Sequence, residues 1–407
     1  MTAIPDRAPP RFRAGDLLGD ERWRGLTIQA LALAALGLLG WFLISNLVAN
    51  LAALGKPIDF SFLWRRAGYD INQRLIPYTS DDPHWRAAVV GMLNTLLVAV
   101  LGCIAATIFG VIAGVLRLSR NWLVSLLMAA YVEGFRNVPL VLWIIVTFSV
   151  LVHATPAPAA FRGEEAEASM LFGLVAITNR GTYLPRPVWG DGSALLLLVV
   201  ALSVVAVWVW RRLARRRQEE TGQPLPVLWV SLAILLVPPA LAFLALGRPL
   251  SFDVPAVRET GIANFQGGIA VLNSFMALWL ALSLYTGAFI AEIVRAGILS
   301  VSRGQTEAAY ALGLRPGRTM RLVILPQALR VIVPPLISQF LNLTKNSSLA
   351  IAVGYMDIRA TLGGITINQT GREFEGMLLL AGFYLTVSLV ISGLMNVYNR
   401  RVAIKER

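Results

Sequence analysis

Tyr285–Pro326 reads YTGAFIAEIVRAGILSVSRGQTEAAYALGLRPGRTMRLVILP. One apolar run ends at Leu299, a polar stretch follows, and a second apolar run opens after Pro326. Inside the polar stretch, Thr306 to Leu312 is good helix sequence. Gly313 suits a left-handed cap, and Pro316 blocks continuation. Pro326 stands where a proline is tolerated, near the first turn of the next helix. The expectation is a short Ala-rich helix of about two turns between two long apolar segments. Its small side chains permit close approach to a partner surface.

The rest of the chain has the same character. Only 14% of its 407 residues are charged, against about 25% in a soluble domain. Eight runs are long enough to cross a bilayer: Ile28–Leu51, Val89–Leu116, Trp122–Val152, Ala194–Trp210, Leu225–Leu246, Ile269–Leu299, Gln327–Val353 and Met377–Val397. The third, sixth and seventh are long, so they should tilt, bend or extend beyond the bilayer. The first is too long and uniformly apolar for a cleaved leader, and reads as a retained anchor. The fold class is therefore an all-α integral membrane protein of about eight transmembrane helices.

Charge sets the orientation. With both ends on one side, that side carries 20 of the 36 basic residues and the other carries 12. The densest piece is Arg211 to Arg217, with five arginines. The bias favours both termini in the cytoplasm. The division expected is a tail at 1–27, a span at 28–51, an outer loop at 52–88 and paired spans at 89–154. A 155–268 insert of outer loop and two spans follows, then three spans at 269–397 with a cytoplasmic loop at 300–326, and a tail at 398–407. Phe60 to Ile76 looks amphipathic and is expected along the outer membrane face. Residues 153–193, polar and rich in Pro and Gly, read as an outer loop without a core of its own.

Several functions fall away. The net charge of +13 follows from topology, and nucleic-acid binding would need the basic groups on one soluble face. The one cysteine, Cys103, excludes an intrachain disulfide and reads as a small buried hydrophobe. His84 and His153 read as lone surface histidines, and no metal cluster or bound cofactor is expected. Gly55-Lys56 is followed by Pro57 and lacks the upstream glycine of a phosphate-binding loop. The chain is therefore not expected to act as an enzyme.

Glu307-Ala308-Ala309, Gly313 and Leu325-Pro326 match in identity and spacing the EAA motif of binding-protein-dependent ABC importer permeases; Val323 replaces its Ile. The resemblance extends over much of Gly91 to Val397, outside the insert. Gly91–Leu96, Tyr131–Leu140, Tyr285–Gly297 and Leu343–Leu349 resemble segments of the polar amino acid permeases. Trp143 departs from a Gln found in many relatives. The extra first, fourth and fifth spans are similar to the general L-amino acid branch.

The resemblance implies a type I, MetI-like core built from spans two, three, six, seven and eight. It implies a coupling helix, with Glu307, Ala308, Ala309, Gly313, Leu325 and Pro326 serving an ATPase that uses the ATP and Mg. Implied partners are a cytoplasmic ATPase dimer, a second permease, a periplasmic amino acid-binding protein, an L-amino acid and membrane lipid. The implied location is a bacterial inner membrane.

Charges inside spans carry the residue-level reading, because each costs several kcal/mol, about 2.5–3.5 on insertion scales, unless paired or hydrated. Glu133 with Arg136, and Glu292 with Arg295, stand three apart and read either as self-neutralising pairs or, for Glu292, as a substrate contact. The seventh span carries Pro334-Pro335 and then Lys345, Asn346, Ser347 and Ser348. Such a segment is buried or lines a cavity. Lys345 could offset a carboxylate and its neighbours offer donors, or the polar residues bond between helices. Tyr285 is a further path candidate or an interior aromatic. Gly110 and Gly114 form a GxxxG that permits close packing. The alternative function is an ion-coupled secondary amino acid transporter, which has no need of a docking helix.

Overall fold

The computed structural model describes residues 21–163, 166–223 and 225–402. Its long helices in chain order are α1 (Glu21–Ala53), α2 (His84–Leu116), α3 (Trp122–Asn137), α4 (Leu140–His153) and α5 (Ser193–Thr221). Then come α6 (Val227–Ala245), α7 (Asn273–Leu299), α8 (Arg303–Ala311), α9 (Leu325–Asn346) and α10 (Glu373–Val402). Seven described helical segments are long and apolar enough to cross a membrane, or eight if the bent α3–α4 pair is one span.

The core forms where α2 lies along α7, with α4, α9 and α10 around them. Small residues make this possible. A Cβ on Gly110 would stand 2.5 Å from Ile290 Cβ, and one on Gly114 would stand 2.6 Å from the Ala291 carbonyl oxygen. The GxxxG is thus a close helix seam. Val98, Ala106, Leu278, Leu282, Ile290, Val294 and Leu343 fill the core beside it. α5 and α6 pack on each other at the periphery, and the apolar face of α1 is open.

Two long runs are reshaped. The expected third span is two helices meeting at 109°. Pro139 stands between them and heads α4, and a residue before proline is pushed out of helical geometry. Val138 accordingly has φ −106° and ψ 135°. The expected seventh span starts earlier than Gln327: helical structure runs from Pro316 to Val353, through a π turn at Met320–Ile324 and a 3-10 stretch at Ser347–Val353. Pro334 and Pro335 lie inside α9 without ending it.

The reading of 153–193 as a coreless loop is corrected. β2 (Gly181–Leu184) pairs antiparallel with β1 (Ala176–Thr178) and with β7 (Ile269–Leu272). β3 (Arg186–Trp189) pairs with β4 (Leu250–Asp253). β5 (Ala256–Val257) pairs with β6 (Phe265–Gln266). Ala176, Tyr183 and Phe265 form a small core there. The loops before α5 and after α6 complete one another, so neither half shows a core when read alone.

The segment Phe60 to Ile76 is also not a surface helix. It has one 3-10 turn, Ser61–Trp64, and then an irregular path whose Ala67 and Ile71 bury against Val90 of α2. Asp59 and Glu375 both pair with Arg372, tying this cap to the start of α10. Hydrogen bonds from Ser61, and then the Arg372 charge, hold the Asp59 carboxyl below its usual range. His84 is not a surface residue: it is buried, and its Nδ1 lies 3.1 Å from Thr366 Oγ1. His153 is exposed as expected. The tail readings at 1–27 and 398–407 are partly replaced by helix, from Glu21 and as far as Val402; residues 1–20 and 403–407 lie outside the described residues.

The seam generates a prediction. Gly110→Ala should lower the thermal stability of the detergent-purified protein, by about 1–3 kcal/mol for overpacking. Gly134→Ala, where an added Cβ meets nothing within 4 Å, should leave stability unchanged or raised.

Candidate functional site

Two features stand out, a helix presented at the end of α7 and a polar unwinding between α9 and α10. α8 begins at Arg303 and runs nine residues. Its exit is set by Gly313 at φ +74°. There the Gly313 N–H donates to Tyr310 O at 2.9 Å, and the Leu314 N–H donates to Ala309 O at 3.1 Å. This closes the helix in a left-handed turn that only glycine adopts without strain. Pro316 then opens the next helical turn.

The motif residues divide by face. Glu307, Ala308 and Gly313 are exposed, and so are Tyr310 and Leu312, the latter 82% exposed. Ala309 is buried, so it secures the helix to the body and does not reach outward. Leu325 and Pro326 lie at the start of α9, outside the short helix. Gln327 Nε2 donates to Gln305 Oε1 at 3.3 Å, linking α8 to α9. A Cβ on Gly297 would meet Ile332 Cγ1 at 2.3 Å, so the ends of α7 and α9 are in direct contact beside the motif.

The charged residues regroup around Glu292. Its carboxylate accepts from Arg117 Nη1 and from Arg295 Nη1 at 3.3 Å, and Arg136 Nη1 stands 3.9 Å away. The Glu292–Arg295 pair forms as spaced. The Glu133–Arg136 pair does not: Glu133 accepts from Asn137 Nδ2 at 3.3 Å. Arg136 turns over the Phe289 ring, 5.3 Å from its centroid. Glu292 is therefore engaged by three arginines from the ends of α2, α3 and α7, and does not stand free in a cavity. Arg117, which the sequence marks only as a topology charge, is its main partner, with a side chain 12% exposed.

The polar end of α9 is partly self-satisfied. Ser347 Oγ donates to Thr344 O at 2.7 Å and Ser348 Oγ to Lys345 O at 2.8 Å. Neither hydroxyl is a free donor. Lys345 is exposed, and among the described residues no carboxylate pairs with it. Asn346 is half-buried. Tyr285 packs against Phe289 and the core, centroids 5.1 Å apart.

Beyond Gly354, at φ +71°, the chain passes through Asp357, which is wholly buried. One carboxyl oxygen caps the Ala360 N–H at 2.9 Å, and the other has no partner. Asn94 of α2 donates to Met356 O at 2.9 Å and to Gln73 O at 2.7 Å. Thr95 Oγ1 accepts from the Ile358 N–H at 3.1 Å. Gly91 gives the room: a Cβ there would lie 2.1 Å from Thr361 Oγ1. The unwound segment is thus held on α2 by side chains that satisfy its backbone, as membrane burial requires. Asp357 lies between the seventh and eighth apolar runs, so no hydropathy pattern marks it. Among the described residues no group of His, Cys, Asp or Glu could hold a metal.

Residues 220–404 match the family model of the binding-protein-dependent transport system inner membrane component. Over 98% of this chain and 99% of the relative, it is 56% identical to the glutamate/glutamine/aspartate/asparagine transport system permease protein BztB of Rhodobacter capsulatus. The chain belongs to the binding-protein-dependent ABC transporter permeases. It is also 43% identical to the general L-amino acid transport system permease protein AapQ of Rhizobium johnstonii, over 95% of this chain and 94% of that one. It is 45% identical to the putative amino-acid ABC transporter permease protein YhdX of Escherichia coli, over 94% and 95%. Among solved structures, one of an amino acid ABC transporter with histidines is 20% identical, covering 78% of this chain and 95% of that one, with a TM-score of 0.44. The permease is a multi-pass inner-membrane subunit, and ATP hydrolysis is carried out by a separate ATPase.

The Glu292 cluster generates a prediction. Glu292→Gln leaves three guanidinium groups without their shared carboxylate. It should destabilise the purified permease by about 1–3 kcal/mol, since the groups are only partly desolvated. Arg117→Gln should cost more than Arg295→Gln, because Arg117 is the more buried. Thermal unfolding in detergent orders the three variants.

Proposed function

We propose that this permease forms one half of the translocation path of an ATP-driven importer of L-amino acids. It takes loaded receptor protein on its outer side and an ATPase dimer on α8. The single observation that carries this reading is α8, a short exposed helix fixed to the ends of α7 and α9. A docking helix so placed moves only with the helices that form the core. Closure of the ATPase on ATP would draw α8 inward and turn the path outward.

The substrate class rests on two supports. The relatives that match along nearly the whole chain are named for glutamate, glutamine, aspartate and asparagine, and for general L-amino acids. Lys345 offers a cation at the end of α9 that no carboxylate pairs with among the described residues. An exposed ammonium at membrane depth is costly unless it meets a partner or water. We assign it to the path shared with the second permease, where a substrate carboxylate would pair with it. Asn346 stands beside it, and Tyr285 forms wall rather than contact. Glu292, already engaged by three arginines, is assigned to structure, together with Arg136 and Arg295. The arginine bias supports a cytoplasmic position for both termini, and an ATPase-facing α8 on that same side is consistent with it.

The test is uptake of labelled glutamate, glutamine and leucine into proteoliposomes of the co-purified complex, with ATP inside and receptor outside. Uptake should need both. Glu307→Lys, on the exposed face, and Gly313→Val, which forces a β-branched residue to positive φ, should each cut uptake more than tenfold. The helices should remain folded. Wild-type uptake in both variants would overturn the assignment of α8.

A further inference from the structure

Arg211, Arg212, Arg215, Arg216 and Arg217 follow the apolar part of helix α5, which runs on to Thr221. Topology explains why arginines are on this side, but not why they share a face. At about 100° per residue, Trp208, Arg211, Arg212, Arg215 and Arg216 fall within an arc of about 140°, with Arg217 outside it. These residues and Glu219 line a groove of about 560 Å³. The Arg212 guanidinium lies over the Trp208 ring, 5.4 Å from its centroid. Arg211 Nε donates to the buried Ser231 of α6 at 3.4 Å. Among the described residues no carboxylate pairs with any of the five arginines, and Glu219 leaves Arg215 free.

The depth of the groove selects its occupant. Counted from Ser193 at about 1.5 Å per residue, a hydrocarbon core of about 30 Å ends near Leu213. Arg215 and Arg216 then lie within the headgroup layer. By the same rotation Leu197, Val204 and Val205, nearer the start of α5, fall within that arc, and all three are exposed apolar surface. Free phosphate would use the guanidinium groups and leave that surface bare. A diacyl lipid with an anionic headgroup uses both.

We propose that the end of the α5–α6 hairpin is a binding site for an anionic phospholipid. Arg212, Arg215 and Arg216 hold its phosphate, and the acyl chains lie on the apolar face beneath. Bidentate guanidinium–phosphate geometry suits arginine here better than lysine. The lipid would seat the peripheral hairpin, which packs chiefly on itself, against the rest of the permease.

The test is native mass spectrometry of the intact, delipidated complex, titrated with phosphatidylglycerol, phosphatidylcholine or inorganic phosphate. The wild type should retain phosphatidylglycerol at least tenfold more strongly than phosphatidylcholine. Millimolar phosphate should not displace it. The triple variant Arg212→Gln, Arg215→Gln, Arg216→Gln should lose that preference. The triple Lys variant keeps the charge that orients the hairpin, yet should lose at least half of the preference because lysine cannot hold phosphate bidentately, which separates headgroup binding from a topology defect. Equal retention of both lipids by the wild type would overturn the proposal, as would an unchanged preference in the Gln variant. Displacement by phosphate would show a free-anion site instead.

Discussion

The close approach of α2 and α7 is the constraint on which the rest depends. Two glycines on α2 let its backbone come within touching distance of Ile290 and Ala291. That distance brings Arg117, at the end of α2, to Glu292 on α7. It also puts Ala113 of α2, Ala288 and Ala291 of α7 and Val132 of α3 into one cluster. A larger residue at either glycine would part the seam and separate the charges beyond it. In a membrane the gain comes from packing and from satisfied polar groups, since lipid solvates apolar side chains as well as protein does.

The same arrangement supports the docking role proposed for α8. It follows α7 by only a few residues, and α9 touches α7 at Gly297. At its other end, the helical run through α9 unwinds into a segment that Asn94 and Thr95 of α2 hold in place. A displacement of α8 is therefore delivered to α7 and α9 together, and through them to α2. The long, apolar α1 and the α5–α6 hairpin stand outside this set. They are not needed for the core contacts and fit a role in holding lipid or a neighbouring chain.

Much of this was legible in the sequence because membrane insertion is written locally. Runs of apolar residues gave the spans, and Gly313 with Pro316 gave the end of α8. What stayed hidden depends on partners distant along the chain. Strand β2, which holds Tyr183, finds its second mate, β7, only after two intervening spans. Arg117 and Glu292 are 175 residues apart, so spacing alone pairs Glu292 with Arg295. Spacing makes Glu133, one turn away, a candidate partner for Arg136, but Arg136 turns to Phe289 on another helix. Asp357 sits in a polar stretch that looks like a loop, and only its contact with α2 shows it to be wholly buried. The length of the third run allows a bend, but the 109° angle at Pro139 is seen only in the structure.

The central claim is that α8 is the surface through which an ATPase drives this permease. The most direct measurement is disulfide trapping of an Ala308→Cys variant, in a Cys103→Ser background, against single cysteines placed across the surface groove of the co-purified ATPase. The account predicts rapid cross-linking at one groove position, with ATP-driven transport abolished when the bond forms and restored on reduction. Absence of any cross-link from Ala308→Cys in an assembled, transporting complex would contradict it.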